Sequence, residues 1–557
     1  MSKNLSHLSG RQGLQNNLFE NIGNQSEQLG PLSKEEVAKL ADEYLMGSSS
    51  IFGTASFYDF TRESNRGKKI FICNGSACLT AGTQDELKAK ISSHFSEAEI
   101  GEMCCLGRCH ENAAFNFDGA NYSGNAIEEL EQIKRSSTRI RDRYHVKYKG
   151  KQILTGEPAA LEQVKIDLTK VFQTHPDSIL QEIKLSGLRG RGGAGFPIGI
   201  KLETCSKVSG KQKFIVCNAD EGDPGSYSDR YILEQQPNLL LIGMLIAGFV
   251  TGASRGVIYI RAEYPESVDR INEAVEEFRQ AGFTGENIFG SSFQFEFKVI
   301  KAQGAYICGE ETALLSSIEG QRPEVRVRPP FPVFEGLFRQ PTVVNNVETL
   351  ANLYFIVTNG GKQFASVGTT KSSGTKLMSL DSFFNKPGIY EVEMGTPLNE
   401  VVYQLGGGFH SKVKALHIGG PLGGLVPIHK VDELTVDFES FASKGFMMGH
   451  ASIVSVPNSF PMISYLEHLF AFTAHESCGK CFPCRIGSTR GKELLQKAQT
   501  DSNYKIDLEL LRDLLDTMKR GSLCALGGGI PLPVYNALDY FYDELKLYFV
   551  ESNNVDR

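Results

Sequence analysis

Apolar positions along this chain come in short bursts, with one long exception. "LLLIGMLIAGFV" (Leu239–Val250) carries no charge and predicts a buried helix, because a bilayer span needs about 20 apolar residues. "FICNG" (Phe71–Gly75) reads as a strand end followed by a loop. "FIVC" (Phe214–Cys217) reads as a short buried strand. "ILQEIKLSGL" looks helical. "GAYICGEETALLSSIEG" places Glu310 and Glu311 at a helix start, and "PTVVNNVETL" leads into another helix. "GIYEVEMGTPLNEVVYQLGG" and "ALHIGGPLGG" alternate strand patterns with one helix. "KIDLELLRDLLDTMKR" (Lys505–Arg520) sets its leucines at helical spacing and predicts an amphipathic helix in a bundle. The first 34 residues are rich in Ser, Asn and Gln and predict little order.

Composition narrows the function classes. The 557 residues carry a net charge of −7, which speaks against a nucleic-acid binder. The one basic run, Lys134–Lys151, holds eight Lys or Arg and one acid. It reads as a solvated linker that starts a strand, with docking to a subunit left open. No signal peptide is recognisable, so a cytoplasmic protein is expected. In a reducing compartment, 12 cysteines point to metals rather than disulfides.

The cysteines cluster. Cys478, Cys481 and Cys484 in "HESCGKCFPC" form C-x2-C-x2-C, the start of a bacterial-type iron–sulfur run. No fourth cysteine follows locally; after Cys484 the chain holds only Cys524, which completes four thiolates by elimination. A [4Fe–4S] cluster is the reading and zinc the rival, although zinc sites usually come as two paired motifs. Near the N-terminus, Cys73 and Cys78 form C-x4-C, and Cys105 and Cys109 form C-x3-C. Two loops meeting at one end of a small α/β domain could hold a [2Fe–2S] cluster, with zinc again the rival and Cys104 ambiguous with its neighbour. His110 and His475 adjoin these sites and read as outer-shell or surface residues. Cys205, Cys217 and Cys308 read as buried core.

A second constellation is rich in glycine and acids. "SGLRGRGGAGFPIGIK" contains Gly190-x-Gly192-x-x-Gly195, but a helix precedes it where a dinucleotide fingerprint needs a strand. With Arg189, Arg191 and Lys201 it still offers a cradle for phosphate or a planar ring. "FIVCNADEGDPGSYSDR" ends a strand in Asn218, Asp220, Glu221 and Asp223, where α/β sheets bind ligands.

Together the stretches "GLRGRGGAGFP", "CNADEGDPG", "GAYICGEETAL", "PPFP", "NNVETL", "ESCGKCFPCR" and "CALG" resemble the NADH-binding flavoprotein subunit of respiratory complex I and related diaphorase subunits. Residues 35–132, with "SIFGTASFYDF", separately resemble the thioredoxin-like [2Fe–2S] subunit, and that pattern selects Cys105 over Cys104. Both in one chain resemble the large diaphorase subunit of NAD-reducing hydrogenases. Formate dehydrogenase, complex I and bifurcating subunits are the nearest alternatives.

The resemblance implies a multidomain α/β protein. Residues 1–34 are poorly ordered, 35–132 a thioredoxin-like [2Fe–2S] domain and 133–151 a basic linker. Residues 152–372 bind FMN and NADH, 373–445 form a ubiquitin-like (SLBB) domain, and 446–557 a helical bundle with a [4Fe–4S] cluster. It implies FMN contacts at Gly190, Arg191, Gly192, Lys201, Asn218, Asp220, Glu221, Tyr306, Gly309, Glu310, Asn345, Asn346 and Thr349. The nicotinamide nucleotide is expected near Phe196 and Phe331, with Glu311, Arg328 and Asp223 beside it. Asp223 stands where complex I relatives have Glu, Arg328 where they often have Lys, and Leu202 and Thr204 where aromatics are common. The implied reaction passes a hydride from NADH to FMN with no side-chain acid or base, then single electrons to the clusters and to partner subunits. NAD rather than NADP is expected, since no basic cluster awaits a 2′-phosphate.

Overall fold

In the computed structural model, which describes residues 13–136 and 143–550, three sheets carry the chain. The sheet nearest the N-terminus has four strands in the order Ile100–Met103, Ile70–Cys73, Phe115–Phe117, Ala120–Tyr122. Its first pair is parallel and the rest antiparallel. The second sheet is wholly parallel, in the order Glu296–Lys301, Arg255–Ile260, Phe214–Ala219, Thr342–Asn346. The third has six strands: Gly424–Pro427, Val413–Ile418, Ser452–Pro457, Thr375–Leu380, Gly388–Glu393 and His145–Lys149.

The parallel sheet is apolar on both faces, as crossover helices require. Its strand Phe214–Ala219 is buried at every position but Asn218. The apolar run lies in the helix Pro237–Thr251, buried almost all round. It packs so closely on Leu350 that a side chain at Gly243 would meet the Leu350 carbonyl at 2.0 Å. No single described helix is long and apolar enough to cross a membrane. The pair Ser228–Gln235 and Pro237–Thr251 passes only jointly, bent by 94°.

Five helices, Met462–Glu476, Phe482–Thr500, Leu508–Gly521, Ala525–Gly529 and Pro531–Tyr540, form the C-terminal bundle. Leu511, Leu515 and Met518 make the buried stripe of the third, as its spacing predicts.

Three expected boundaries are corrected. Residues 1–12 and 551–557 lie outside the described residues, but the rest of the expected disordered segment is structured. Asn17 caps the helix Leu18–Leu29, and Leu18, Phe19 and Ile22 form its buried face. Phe19 stacks on Tyr259 of the parallel sheet at 6.0 Å, and the Asn17 amide donates to Ile318 O at 2.7 Å. A polar average hid one apolar face. The basic run starts a strand, as expected, but the linker then ends before residue 145 rather than at 151. Residues 137–142 lie outside the described residues, but His145–Lys149 pairs in parallel with Gly388–Glu393 as the edge strand of the third sheet. Finally, Ser452–Pro457 falls beyond the expected end of the ubiquitin-like unit at 445, yet it lies inside that unit's sheet, between Val413–Ile418 and Thr375–Leu380.

Candidate functional site

All four parallel strands deliver loops at their carboxyl ends, the place where open α/β sheets bind ligands. Phe214–Ala219 ends in Asn218 and leads to Asp220. Glu296–Lys301 leads to Tyr306–Gly309. Thr342–Asn346 ends in Asn345 and Asn346. Asn218 Nδ2 donates to Gly309 O at 2.7 Å and its Oδ1 accepts from Asp220 N, so two of these loops are tied together.

The glycine loop crosses this edge between the helices Pro176–Ser186 and Ile198–Lys207. It is closed by Gly190 N to Phe196 O at 2.9 Å. Arg191 N donates to Thr349 Oγ1 at 2.8 Å. A Cβ on Gly192 would lie 3.0 Å from Asn346 Cβ, so the backbone itself lies against that strand end. The Arg191 guanidinium is wholly buried and turned to Ser373 O at 2.6 Å, into the third sheet's unit. It anchors the loop from below through Nη2, while Nε and Nη1 make no hydrogen bond.

Three buried polar atoms around this edge lack a hydrogen bond: Asp220 Oδ2, Asn345 Nδ2 and Glu310 Oε1, which has only the Arg328 guanidinium at 3.8 Å. Two acceptors and a donor suit a polyhydroxy chain and a heteroaromatic ring edge, the chemistry of FMN. Burial pushes the Asp220 carboxyl well up, which hydrogen bonds from such a ligand would relieve. Glu310 spends its other oxygen capping the helix Glu311–Ile318, accepting from Thr312 N and Ala313 N at 2.9 Å each. Lys201 Nζ donates to Val344 O at 2.8 Å and pairs with Glu311 at 3.3 Å, and Glu311 also meets Arg328 at 3.1 Å. Tyr306 OH donates to Asp223 Oδ1 at 2.5 Å, and burial raises that carboxyl. Phe196 and Phe331 are 51% and 48% exposed, open faces for a stacking ring.

One expected contact, Glu221, sits differently, and the two positions expected to lack an aromatic wall turn out to lie off the cleft. Glu221 does not face a ligand: its oxygens accept from Ser226 Oγ at 2.6 Å and from Asp229 N and Arg230 N at 3.0 Å, fixing the start of the helix Ser228–Gln235. Leu202 is fully buried and Thr204 bonds back to Ile200 O, so neither walls a ligand site.

The cysteines gather into two groups, in agreement with the spacing. Cys105 and Cys109 sulfurs lie 3.4 Å apart, and Cys73 is within hydrogen-bonding reach of Cys105 and Cys78. Gly107 N donates to Cys105 Sγ and, from the neighbouring domain, Gly225 N to Cys109 Sγ at 3.2 Å. In the bundle, Cys478 follows the helix Met462–Glu476, Cys481 and Cys484 open the helix Phe482–Thr500, and Cys524 opens Ala525–Gly529. Burial pushes the Cys484 and Cys524 thiols up to about 11 and about 12; Cys478 acts on both, and Glu310 on Cys524. Thiols crowded together out of water ionise only with a cation among them, so both donor sets fit iron–sulfur clusters. Glu310 thus stands beside both the ligand cleft and the bundle cluster site. His110 is buried against Tyr144 and Tyr227, and His475 lies 3.7 Å from Asp59.

Sequence reasoning missed several residues that hold the site. His450 pairs with Asp229 at 3.3 Å beneath Asn346, and Glu476 accepts from Tyr306 N at 2.9 Å. Arg261 joins the acidic loop to the Cys104 carbonyl, and Lys376 pairs with Glu348 just past Asn346. None stands in a motif; three of the pairings span more than 150 positions, and only the fold shows them.

Three family profiles match. "Nuo51 FMN-binding domain" covers residues 183–355, "NADH-ubiquinone oxidoreductase-F iron-sulfur binding region" 464–548, and "Thioredoxin-like [2Fe-2S] ferredoxin" 7–137. The NADP-reducing hydrogenase subunit HndC of Solidesulfovibrio fructosivorans is 42% identical over 68% of this chain and 78% of its own. The NAD-reducing hydrogenase HoxS subunit alpha of Cupriavidus necator is 32% identical over 88% and 84%. A component of the NADH-quinone oxidoreductase of Escherichia coli is 39% identical over 67% and 84%. A chain of an NAD+-reducing [NiFe]-hydrogenase in the H2-reduced state superposes with a TM-score of 0.84 at 28% identity, over 96% of this chain and 93% of that one.

Proposed function

The chain belongs to the family of NADH-oxidising FMN and iron–sulfur subunits shared by complex I and the NAD(P)-reducing hydrogenases, and on that premise we propose that it is the diaphorase subunit of a cytoplasmic NAD-reducing hydrogenase. The single observation that carries this reading is the fused architecture. One chain holds all three matched regions and superposes along nearly its whole length on the hydrogenase chain.

Bound at the cleft, FMN supplies the conversion of a two-electron hydride into single electrons. The chain's part is positioning and electrostatics. Asn218, Asp220, Glu310, Asn345 and the bare backbone at Gly190 and Gly192 hold the flavin. Tyr306 orients Asp223, while Lys201, Glu311 and Arg328 form a charged network where the nucleotide's hydroxyls and phosphates are held. The open rings of Phe196 and Phe331 stack the nucleotide. No residue in the cleft is needed to move a proton during hydride transfer. Cys478, Cys481, Cys484 and Cys524 hold a [4Fe–4S] cluster next to Glu310, and Cys73, Cys78, Cys105 and Cys109 hold a [2Fe–2S] cluster against Gly225.

The test is to isolate the native complex and assay hydrogen-dependent NAD+ reduction. Hydrogen-driven reduction is expected. Reduction driven by formate only, or NADH oxidation coupled only to quinone, assigns the subunit to another complex.

A further inference from the structure

The N-terminal cluster site is not finished by its own domain. Its ligand loop, Cys104–Cys109, is held from outside by three donors of the flavin domain. Gly225 N–H bonds the Cys109 sulfur at 3.2 Å. Arg230 Nη1 donates to Gly107 O at 2.9 Å. Arg261 Nη2 donates to Cys104 O at 3.1 Å, and Nη1 to Glu221 O at 2.5 Å.

Arg261 is buried to 2% exposure, over the Tyr264 ring at 4.9 Å. Its ion-pair partner is Glu263, 2.8 Å away and equally buried, whose backbone carbonyl accepts from Asn121 of the cluster domain at 2.6 Å; Asp220 of the acidic loop adds a weaker attraction. A guanidinium and a carboxylate therefore lie side by side, out of water, against the loop that bears two sulfur ligands. Charges so placed are only weakly screened. Potentials of thiolate-held clusters follow the local charge and the hydrogen bonds to sulfur.

We infer that Arg261 and Glu263 form an opposed pair that sets the reduction potential of the [2Fe–2S] cluster from across the domain boundary, Arg261 raising it and Glu263 lowering it. Reduction adds negative charge to the site; Arg261 favours that charge and Glu263 opposes it. Both are positioning residues, since neither contributes a ligand atom. The inference rests on the cluster assignment above.

The test is an EPR-monitored redox titration of the full-length holoprotein, reading both clusters. Arg261→Met removes the cation and leaves Glu263 unpaired. It is expected to lower the [2Fe–2S] potential by at least 59 mV, a tenfold change in a one-electron equilibrium constant. Glu263→Gln leaves Arg261 uncompensated and is expected to raise it by a similar amount. Arg261→Lys keeps the charge and is expected to restore most of the parent value. The [4Fe–4S] potential, read in the same titration, is expected to move less, because the hydrogen bonds of Arg261 and Glu263 across the domain boundary reach Cys104 and Asn121 and none joins the pair to residues 478–484 among those described. If both neutral variants shift the potential in the same direction, or neither shifts it, the inference is overturned. Should Arg261→Met fail to fold, the upward shift in Glu263→Gln decides. Loss of the cluster assignment shows separately, as absence of any [2Fe–2S] signal in the parent.

Discussion

Lys376 and Glu348 make a wholly buried ion pair, each at 0% side-chain exposure. Glu348 lies on the short helix Val347–Ala351, directly after Asn345 and Asn346, and Lys376 on the strand Thr375–Leu380. The neighbouring strand Ser452–Pro457 pairs only with Ser379 and Leu380. At Leu377 the missing strand is replaced by this pair: Leu377 N donates to Glu348 Oε1 at 3.1 Å, and Leu377 O accepts from Lys376 Nζ at 3.0 Å. Replacing Lys376 with Met strands a buried carboxylate, which costs about 3–5 kcal/mol. That is a large part of the 5–15 kcal/mol typical of a whole domain. Lys376→Met/Glu348→Leu removes both charges, and what remains is the loss of two backbone partners, about 1–3 kcal/mol each. The assay is urea unfolding followed by flavin fluorescence, with FMN retention after gel filtration as the functional readout. Lys376→Met is expected to unfold earliest and to lose FMN, because the Asn345–Thr349 segment moves with the helix. Lys376→Met also strands the Leu377 carbonyl, which brings its cost to about 4–8 kcal/mol against about 2–6 for the double variant, so the double variant is expected to be no worse than the single. A simple sum of the two single losses in the double variant refutes the coupling.

Replacing Cys524 with Ala is expected to abolish the [4Fe–4S] EPR signal and leave the [2Fe–2S] signal intact; an undiminished [4Fe–4S] spectrum refutes its role as fourth ligand. Glu310→Ala removes a helix cap worth about 0.5–2 kcal/mol together with an orphan acceptor, and is expected to weaken FMN affinity; isothermal titration of the deflavinated variant with FMN measures it. Tyr306→Phe removes the hydrogen bond to Asp223 and is expected to raise the KM for NADH severalfold with FMN content unchanged. Against burial, Asp229 raises the His450 imidazolium to about 9. Its stabilising contribution is full below the ordinary value near 6.5 and is lost as pH rises through about 9. Thermal unfolding between pH 6.5 and 9.5 is expected to show this loss in the parent and not in His450→Gln.

The grouping of the cysteines was the most legible part of the chain, because thiols three to five positions apart in sequence stay close in any fold. Cys524, forty positions on, was assigned to its group by counting, and the fold places it where Cys478 and Cys484 act on it. Strand partners were not: nothing around "ASIVSVPNS" says that Ser452–Pro457 lies beside Thr375–Leu380, almost eighty positions earlier. Amino-acid averages also hid the helix Leu18–Leu29, whose buried face includes Phe19, stacked on Tyr259 of the parallel sheet. In the cleft, glycines and acids at strand ends pointed to the right edge of the sheet, since backbone exposure there follows from local sequence. The direction of each side chain did not follow. Arg191 and Glu221 sit in the loops the sequence marked, yet one runs down to Ser373 and the other caps a helix. Whether a charge faces a ligand or the interior depends on partners such as Ser373 and Asp229, which the chain brings in from elsewhere.

On the proposed function, one chain holds FMN and two clusters and fills them with electrons from NADH. Anaerobically purified protein, assayed for FMN, iron and sulfide and examined by EPR before and after adding NADH, tests it most directly. Bound FMN is expected, with a [4Fe–4S] signal that appears on NADH addition and a [2Fe–2S] signal that appears with NADH or a stronger reductant. A colourless protein with zinc in its thiolate sites, no flavin and no NADH-dependent signal would contradict it.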